Sequence, residues 1–181
     1  MGLMTFKFRP VDMTNWPDFE ALMESKGAPH NCWCTAWLNV ETQNKKAEKS
    51  EKKASMKQRI DSGTPVGLLA YANGKPIGWC AVAPRQSYKP LGGDETKQQV
   101  WSIVCFFIKR DFRGQGLSKL FIAQAIDFAS RHGAKYVEAY PVAKTSPSYR
   151  FMGFIPTFEK AKFEFVKNAG TRRHVMLKRL D

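Results

Sequence analysis

The sequence predicts an α/β domain, a mixed and strongly twisted sheet flanked by helices, and three observations predict it. Short apolar runs bounded by turn residues recur along the chain, and stretches with apolar residues three and four apart lie between them. The most apolar run, Val100 to Ile108, leads through a glycine-bearing turn straight into an amphipathic helix. Two further strands, Phe163 to Val166 and His174 to Leu177, read as a closing antiparallel pair. With 181 residues, 43% of them hydrophobic, the chain is long enough for one well-filled core and short for two.

The elements follow in order. Thr5 to Arg9 reads as a first strand. Thr14 can cap a helix from Asn15 to Met23, anchored by Trp16, Phe19 and Leu22 or Met23, and Lys26-Gly27-Ala28-Pro29 stops it. His30 to Val40 is aromatic and sulphur-rich and has no clear period. A polar helix runs from about Lys45 to Ile60, closed by Asp61-Ser62-Gly63. Val66 to Tyr71 and Pro76 to Val82 flank Asn73-Gly74, a strong hairpin signal. Pro84 to Lys97 reads as a loop, and Val100 to Ile108 as the central strand. In the helix Leu117 to His132, residues Leu117, Phe121, Ala125 and Phe128 form one stripe, with Leu120 and Ile126 beside it. Gly133 ends that helix. Tyr136 to Tyr140, ended by Pro141, is the next strand, and a short helix near Ile155 to Ala161 precedes the closing pair. No repeat, linker or low-complexity segment divides the chain, so residues 1–181 are expected to form a single domain.

Net charge is +13, which attracts polyanions of any kind. The charge is concentrated: Lys45, Lys46, Lys49, Lys52, Lys53, Lys57 and Arg59 face only Glu48 and Glu51. Such a block reads as a solvated helix face, and a basic nucleic-acid-binding protein is the rival reading. No helix-turn-helix, zinc-finger or aromatic RNA-binding pattern accompanies it, so no specific nucleic acid is expected. The longest apolar run, Val104 to Ile108, is far too short to cross a bilayer. The start lacks the basic and long apolar regions of a secretory signal, and Phe6 stands where acylation at Gly2 would want Ser or Thr. A cytoplasmic protein without membrane attachment is the expectation.

Chemistry is expected first at the turn Arg113-Gly114-Gln115-Gly116-Leu117-Ser118. Its glycines let the backbone approach a ligand with no Cβ in the way. The helix that follows exposes unpaired N–H groups at the positive end of its dipole, and such donors hold pyrophosphate. A Gly-x-Gly at this place also serves merely as a tight turn. Neither the dinucleotide fingerprint nor a Walker loop matches it, since the third glycine of the one and the Gly-Lys-Ser/Thr of the other are missing.

The segment from Phe106 to Ser118 resembles the hallmark motif of the GCN5-related N-acetyltransferases, Arg/Gln-x-x-Gly-x-Gly/Ala. Arg113 fills its first position and Gly116 its middle one, while Ser118 replaces the final small residue. Element order resembles the family over essentially the whole chain. The segments Asn31 to Cys34, Gly78-Trp79-Cys80 and Glu138-Ala139-Tyr140-Pro141 resemble a bacterial branch of it. The resemblance implies an acyl-CoA N-acyltransferase fold and an enzyme that moves acetyl from acetyl-CoA to an amine. It further implies main-chain contacts to the cofactor arm from Phe106 and Ile108, and a phosphate nest from Arg113, Gly114, Gln115, Gly116, Leu117 and Ser118. A gap between the strands Val100 to Ile108 and Tyr136 to Tyr140 would admit the arm. The acceptor is expected to be a small-molecule amine, with a protein amine also open. An acyl-CoA-binding sensor with little catalysis is the alternative.

Relatives often keep a Tyr proton donor in the short fourth helix, where the resemblance places Phe158. Tyr149 and Tyr140 are the substitutes nearest in sequence, and Tyr149 is the leading one. Glu138, alone in an apolar strand near the expected gap, is the candidate base, with a surface salt bridge as its other reading. Cys80 and Cys105 read as small buried hydrophobes, whereas Cys32 or Cys34 could line the acceptor pocket. His30 with these thiols is unlike paired zinc-ligand spacing, and no metal is expected. His132 and His174 read as structural, and Trp33, Trp37, Trp79 and Trp101 read as core, with one or two of them shaping an acceptor pocket.

Overall fold

The computed structural model describes residues 5–29, 32–38 and 47–181. Readings that rest on Gly2, His30, Asn31, Lys45 and Lys46 lie outside the described residues. Strand β1 (Phe6–Pro10) is followed by helices α1 (Trp16–Met23) and α2 (Lys49–Asp61), then by the hairpin β2 (Gly67–Ala72) and β3 (Lys75–Pro84). Strand β4 (Val100–Ile108), helix α3 (Leu117–Arg131), strand β5 (Tyr136–Ala139), helix α4 (Ile155–Lys160) and strands β6 (Glu164–Ala169) and β7 (Arg173–Arg179) complete the order. The strands form one sheet, β1-β2-β3-β4-β5-β7-β6, with β4 in the middle as its apolar composition predicts. Only β4 and β5 pair in parallel, so the sheet is mixed.

Local chemistry explains the elements. The β2–β3 turn places both Asn73 and Gly74 at positive φ, which matches the right-handed twist of the flanking strands. The stripe Leu117, Phe121, Ala125 and Phe128 is buried against the sheet. Leu120, expected beside that stripe, instead remains 39% exposed because its helical position turns it outward. Strands β3, β6 and β7 extend beyond the apolar runs that announced them, since their ends are held by backbone pairing. Within the expected loop after β3, Arg85–Ser87 winds into a short 3₁₀ turn.

Two cores result, one on each sheet face. Phe19, Trp33 and Trp79 are fully buried beneath α1 and α2, while Phe121, Phe158 and Ile103 are fully buried beneath α3 and α4. The basic helix α2 starts later than its composition suggests, and part of its charge is spent on docking. Lys49 pairs with Glu24 at 2.5 Å, Lys53 pairs with Glu20, and the ammonium groups of Lys53 and Lys57 lie 5.3 and 5.8 Å from the rings of Trp33 and Trp16. These contacts account for part of the cationic block without a nucleic acid. Among the described residues, no helix is long and apolar enough to cross a membrane.

Candidate active site

Strands β4 and β5 pair only from Val100 opposite Tyr136 to Ile103 opposite Ala139. Beyond that point β5 ends and β4 runs on to Ile108, so the far half of β4 loses its parallel neighbour. On its other edge the register with β3 slips between Ala81 and Val82, leaving Val104 as an extra residue that bends β4 where the strands part. The segment Arg150–Met152 packs against β4, with Met152 fully buried. A cavity of about 960 Å³ opens along this stretch, with Phe106, Phe107 and Ile108 on one wall and Phe151 and Phe154 on another.

The expected turn lies at its mouth. The Lys109 amide donates to the Ile77 carbonyl at 2.9 Å, fixing the exit from β4, and Arg110–Phe112 makes a single 3₁₀ turn. Gly114 and Gly116 sit at φ 76° and 79°, a region that costs an L-residue roughly 1–2 kcal/mol. Gly116 caps α3 with no side-chain partner, and the Leu120 amide is already bonded to the Gly116 carbonyl at 3.2 Å. The amides of Leu117, Ser118 and Lys119 therefore point out of the helix end as donors. A Cβ at Gly114 or Gly116 would meet nothing within 4 Å, so open space faces both. Arg113 Nε donates to the Ile108 carbonyl at 2.8 Å and Gln115 Nε2 to the Asp111 carbonyl at 3.1 Å. Both side chains brace the turn, so the donors it leaves open are backbone amides. Among the described residues, the charged side chains lining the cavity are Arg113, Lys119, Lys144, Arg150 and Lys160, with no carboxylate.

The structure does not bring Glu138 to this cavity. Glu138 is fully buried and accepts from Arg85 Nε at 2.9 Å, Arg85 Nη2 at 2.5 Å, Ser102 Oγ at 2.6 Å and the Tyr140 hydroxyl at 2.5 Å. Burial alone would lower the Arg85 pKa, but the hydrogen bond and charge of Glu138 raise it overall. Burial first, then the Glu138 charge, pushes the Tyr140 phenol upward and keeps it a donor. A Cβ on Gly93 would run into Glu138 Oε2, so the 84–97 loop is closed over this carboxylate. Arg85 escaped the sequence reading, although an isolated Glu in a buried strand calls for a cation. The partners lie 53 residues apart, and no local pattern joins them.

Phe158 is fully buried, with its ring 6.2 Å from Phe106 and 5.1 Å from Phe163. Tyr149 is 37% exposed and is not itself among the residues that line the cavity; its ring lies 6.2 Å from that of Trp37, which does. The Tyr149 φ of 59° is a strained conformation for a residue with a large side chain. Trp33, Trp79 and Trp101 are buried. His132 Nδ1 donates to the Phe128 carbonyl at 2.8 Å, and His174 packs edge-on to Phe165 at 5.0 Å.

Cys32, Cys34 and Cys105 all line the cavity, whereas Cys80 is buried away from it. Cys105 thus belongs to the wall as well as the core. The Cys34 and Cys105 sulfurs are 3.6 Å apart, and Trp79 Nε1 donates to Cys34 at 3.1 Å. The hydrogen bond with Cys105 and burial raise Cys34 well above the usual thiol range, despite opposing hydrogen bonds from Cys32 and Trp79. A hydrogen bond to Cys34, then burial, raises Cys32 likewise. Thiols held protonated are poor nucleophiles. Cys32→Ala is expected to leave turnover within about twofold of wild type, and loss of turnover in the variant, with covalent acyl-protein trapped on the wild type alone, would refute this. Among the described residues, no group of three or more His, Cys, Asp or Glu side chains could hold a metal ion.

Comparison with known proteins agrees with this geometry. The model of the Acetyltransferase (GNAT) family matches residues 34–154. An uncharacterized protein from Bacillus halodurans superposes with a TM-score of 0.63 at 14% identity, over 96% of this chain and 83% of that one. The putative acetyltransferase yncA from Salmonella typhimurium, solved with acetyl-CoA, gives 0.57 at 15% identity, over 97% and 94%. The paiA N-acetyltransferase from Thermoplasma acidophilum, solved with coenzyme A, gives 0.57 at 16% identity, over 98% and 100%. No curated protein matches the chain.

Proposed function

The chain belongs to the acetyltransferase (GNAT) family, and from that premise we propose that it transfers an acetyl group from acetyl-CoA to an amine of a small molecule by direct attack. The observation that carries the reading is the parting of β4 from β5, with a bare helix end and two positive-φ glycines at the mouth of the gap. In this reading the backbone from Arg113 through Gly114, Gln115, Gly116, Leu117 and Ser118 holds the pyrophosphate. The unpartnered edge of β4 at Phe106 and Ile108 aligns the cofactor arm, and Arg113, Lys119 and Lys160 supply positive potential. Acetyl-CoA supplies the activated thioester. The amine attacks its carbonyl carbon, the tetrahedral adduct collapses, and the departing thiolate takes a proton.

With Glu138 and Tyr140 tied into a buried network and Phe158 in the core, Tyr149 is the phenol assigned to donate that proton. The amine is deprotonated by solvent in this account, since the cavity wall carries no carboxylate among the described residues. The second reading, an acyl-CoA sensor, is favoured by the apolar Phe158 and differs in giving binding without turnover.

Calorimetric titration tests the nest. Gly116→Val places a β-branched residue at φ 79° and a Cβ in the space facing the ligand. Coenzyme A affinity is expected to fall at least ~10-fold in the folded variant. Wild-type binding is expected to weaken as salt rises. Unchanged affinity would remove the nest from this turn.

A further inference from the structure

A second cationic centre lies beside the gap and away from the helix end. Arg173 opens β7 and bridges to Val142, just past the point where β5 stops. Its guanidinium carbon lies 5.4 Å from the Trp37 ring centre, 5.5 Å from that of Tyr149 and 6.0 Å from that of Tyr140. Three rings thus surround a charge that forms no ion pair with the described residues. Among the described residues, Arg173 Nη1 is buried without a hydrogen-bond partner, and so is Trp37 Nε1 in the same cluster. Among the described residues, the Glu138 carboxylate, which accepts from Tyr140 of this cluster, is already occupied by Arg85, Ser102 and Tyr140. Trp37 carries this cluster to the cavity, whose charged lining is wholly cationic among the described residues.

Buried donors without acceptors are costly, and the ring-enclosed guanidinium is stabilised by the ring faces while its Nη1 donor stays unmet. The partner that satisfies an N–H edge is a planar anion with two oxygens in line. A polycationic acceptor, by contrast, would meet Lys144 and Arg150 with no acidic side chain to hold it. We propose that the acceptor is a carboxylate-bearing amine of the amino-acid class, its carboxylate held at Arg173 with Trp37 Nε1 as a second donor. The inference rests on the acetyl-transfer reading and adds the class of acceptor.

Matched pairs test it: phenylalanine against phenethylamine, and leucine against isopentylamine. Each is measured for acetyl transfer and for binding to the protein loaded with coenzyme A. The acid of each pair is expected to be preferred at least ~30-fold in kcat/KM and to bind the loaded protein more tightly. Arg173→Met, which keeps the length but not the charge, is expected to raise KM for the acid at least ~10-fold and collapse the preference, with coenzyme A affinity held. Trp37→Phe keeps the ring, removes the second donor, and is expected to reduce the preference in part. Equal or better use of the decarboxylated amines, or an intact acid preference in Arg173→Met, would overturn the proposal. Absence of turnover with every acceptor would instead strike the acetyl-transfer reading, and the binding comparison would still decide the acceptor class.

Discussion

Replacing Tyr149 with Phe is expected to lower the acetyl-transfer rate by ~10²-fold while leaving coenzyme A affinity within about twofold. The ring is held by neighbours that Phe would keep: Trp37 at 6.2 Å, Phe151 at 6.3 Å and the Arg173 guanidinium at 5.5 Å. Only the O–H is removed, so a rate loss reports proton donation and not packing. The strained backbone at φ 59° strengthens the assignment, because such strain persists where surrounding structure enforces it, often at functional sites. Steady-state rates from pH 6 to 9 check the result. A rate equal to wild type across that range would give the proton to solvent and leave positioning along β4 as the protein's contribution.

Arg85→Ala is expected to destabilise the fold by about 3 kcal/mol. Glu138 is fully buried, and Arg85 provides two of its four hydrogen bonds and its only countercharge among the described residues. Removing the guanidinium leaves a desolvated carboxylate with two hydroxyl donors. The loss has a second part, since Arg85 Nη1 also bonds the Asp94 carbonyl at 2.9 Å and so pins the loop over β5. Urea unfolding of the variant measures the effect. A change below about 0.5 kcal/mol would mean that water reaches Glu138 in the folded protein.

The fold was legible because local signals and burial agree. Asn73-Gly74 needs positive φ at both residues, and the apolar run Val100 to Ile108 belongs at the centre of a sheet. The glycine turn before α3 was legible for the same reason, since Gly114 and Gly116 mark a backbone conformation that other residues resist. The acceptor side was not. Glu138 looked like a lone carboxylate because Arg85 reaches it from another strand end, and no local pattern singled out Arg173. Cys105 read as core filling, yet its position past the bend in β4 turns it toward the cavity. Sequence periodicity gives the face a side chain occupies. It does not give the long-range partner that decides whether a charge is satisfied, and the chemistry of this site depends on that.

The most direct measurement is amine-dependent release of free coenzyme A from acetyl-CoA, with the acetylated product identified by mass. The account predicts stoichiometric release and acetyl-amine formation, greatest for carboxylate-bearing amines and reduced in Gly116→Val through weaker cofactor binding. Tight, salt-sensitive coenzyme A binding with no acetylated product from any amine would contradict it and identify the protein as an acyl-CoA sensor.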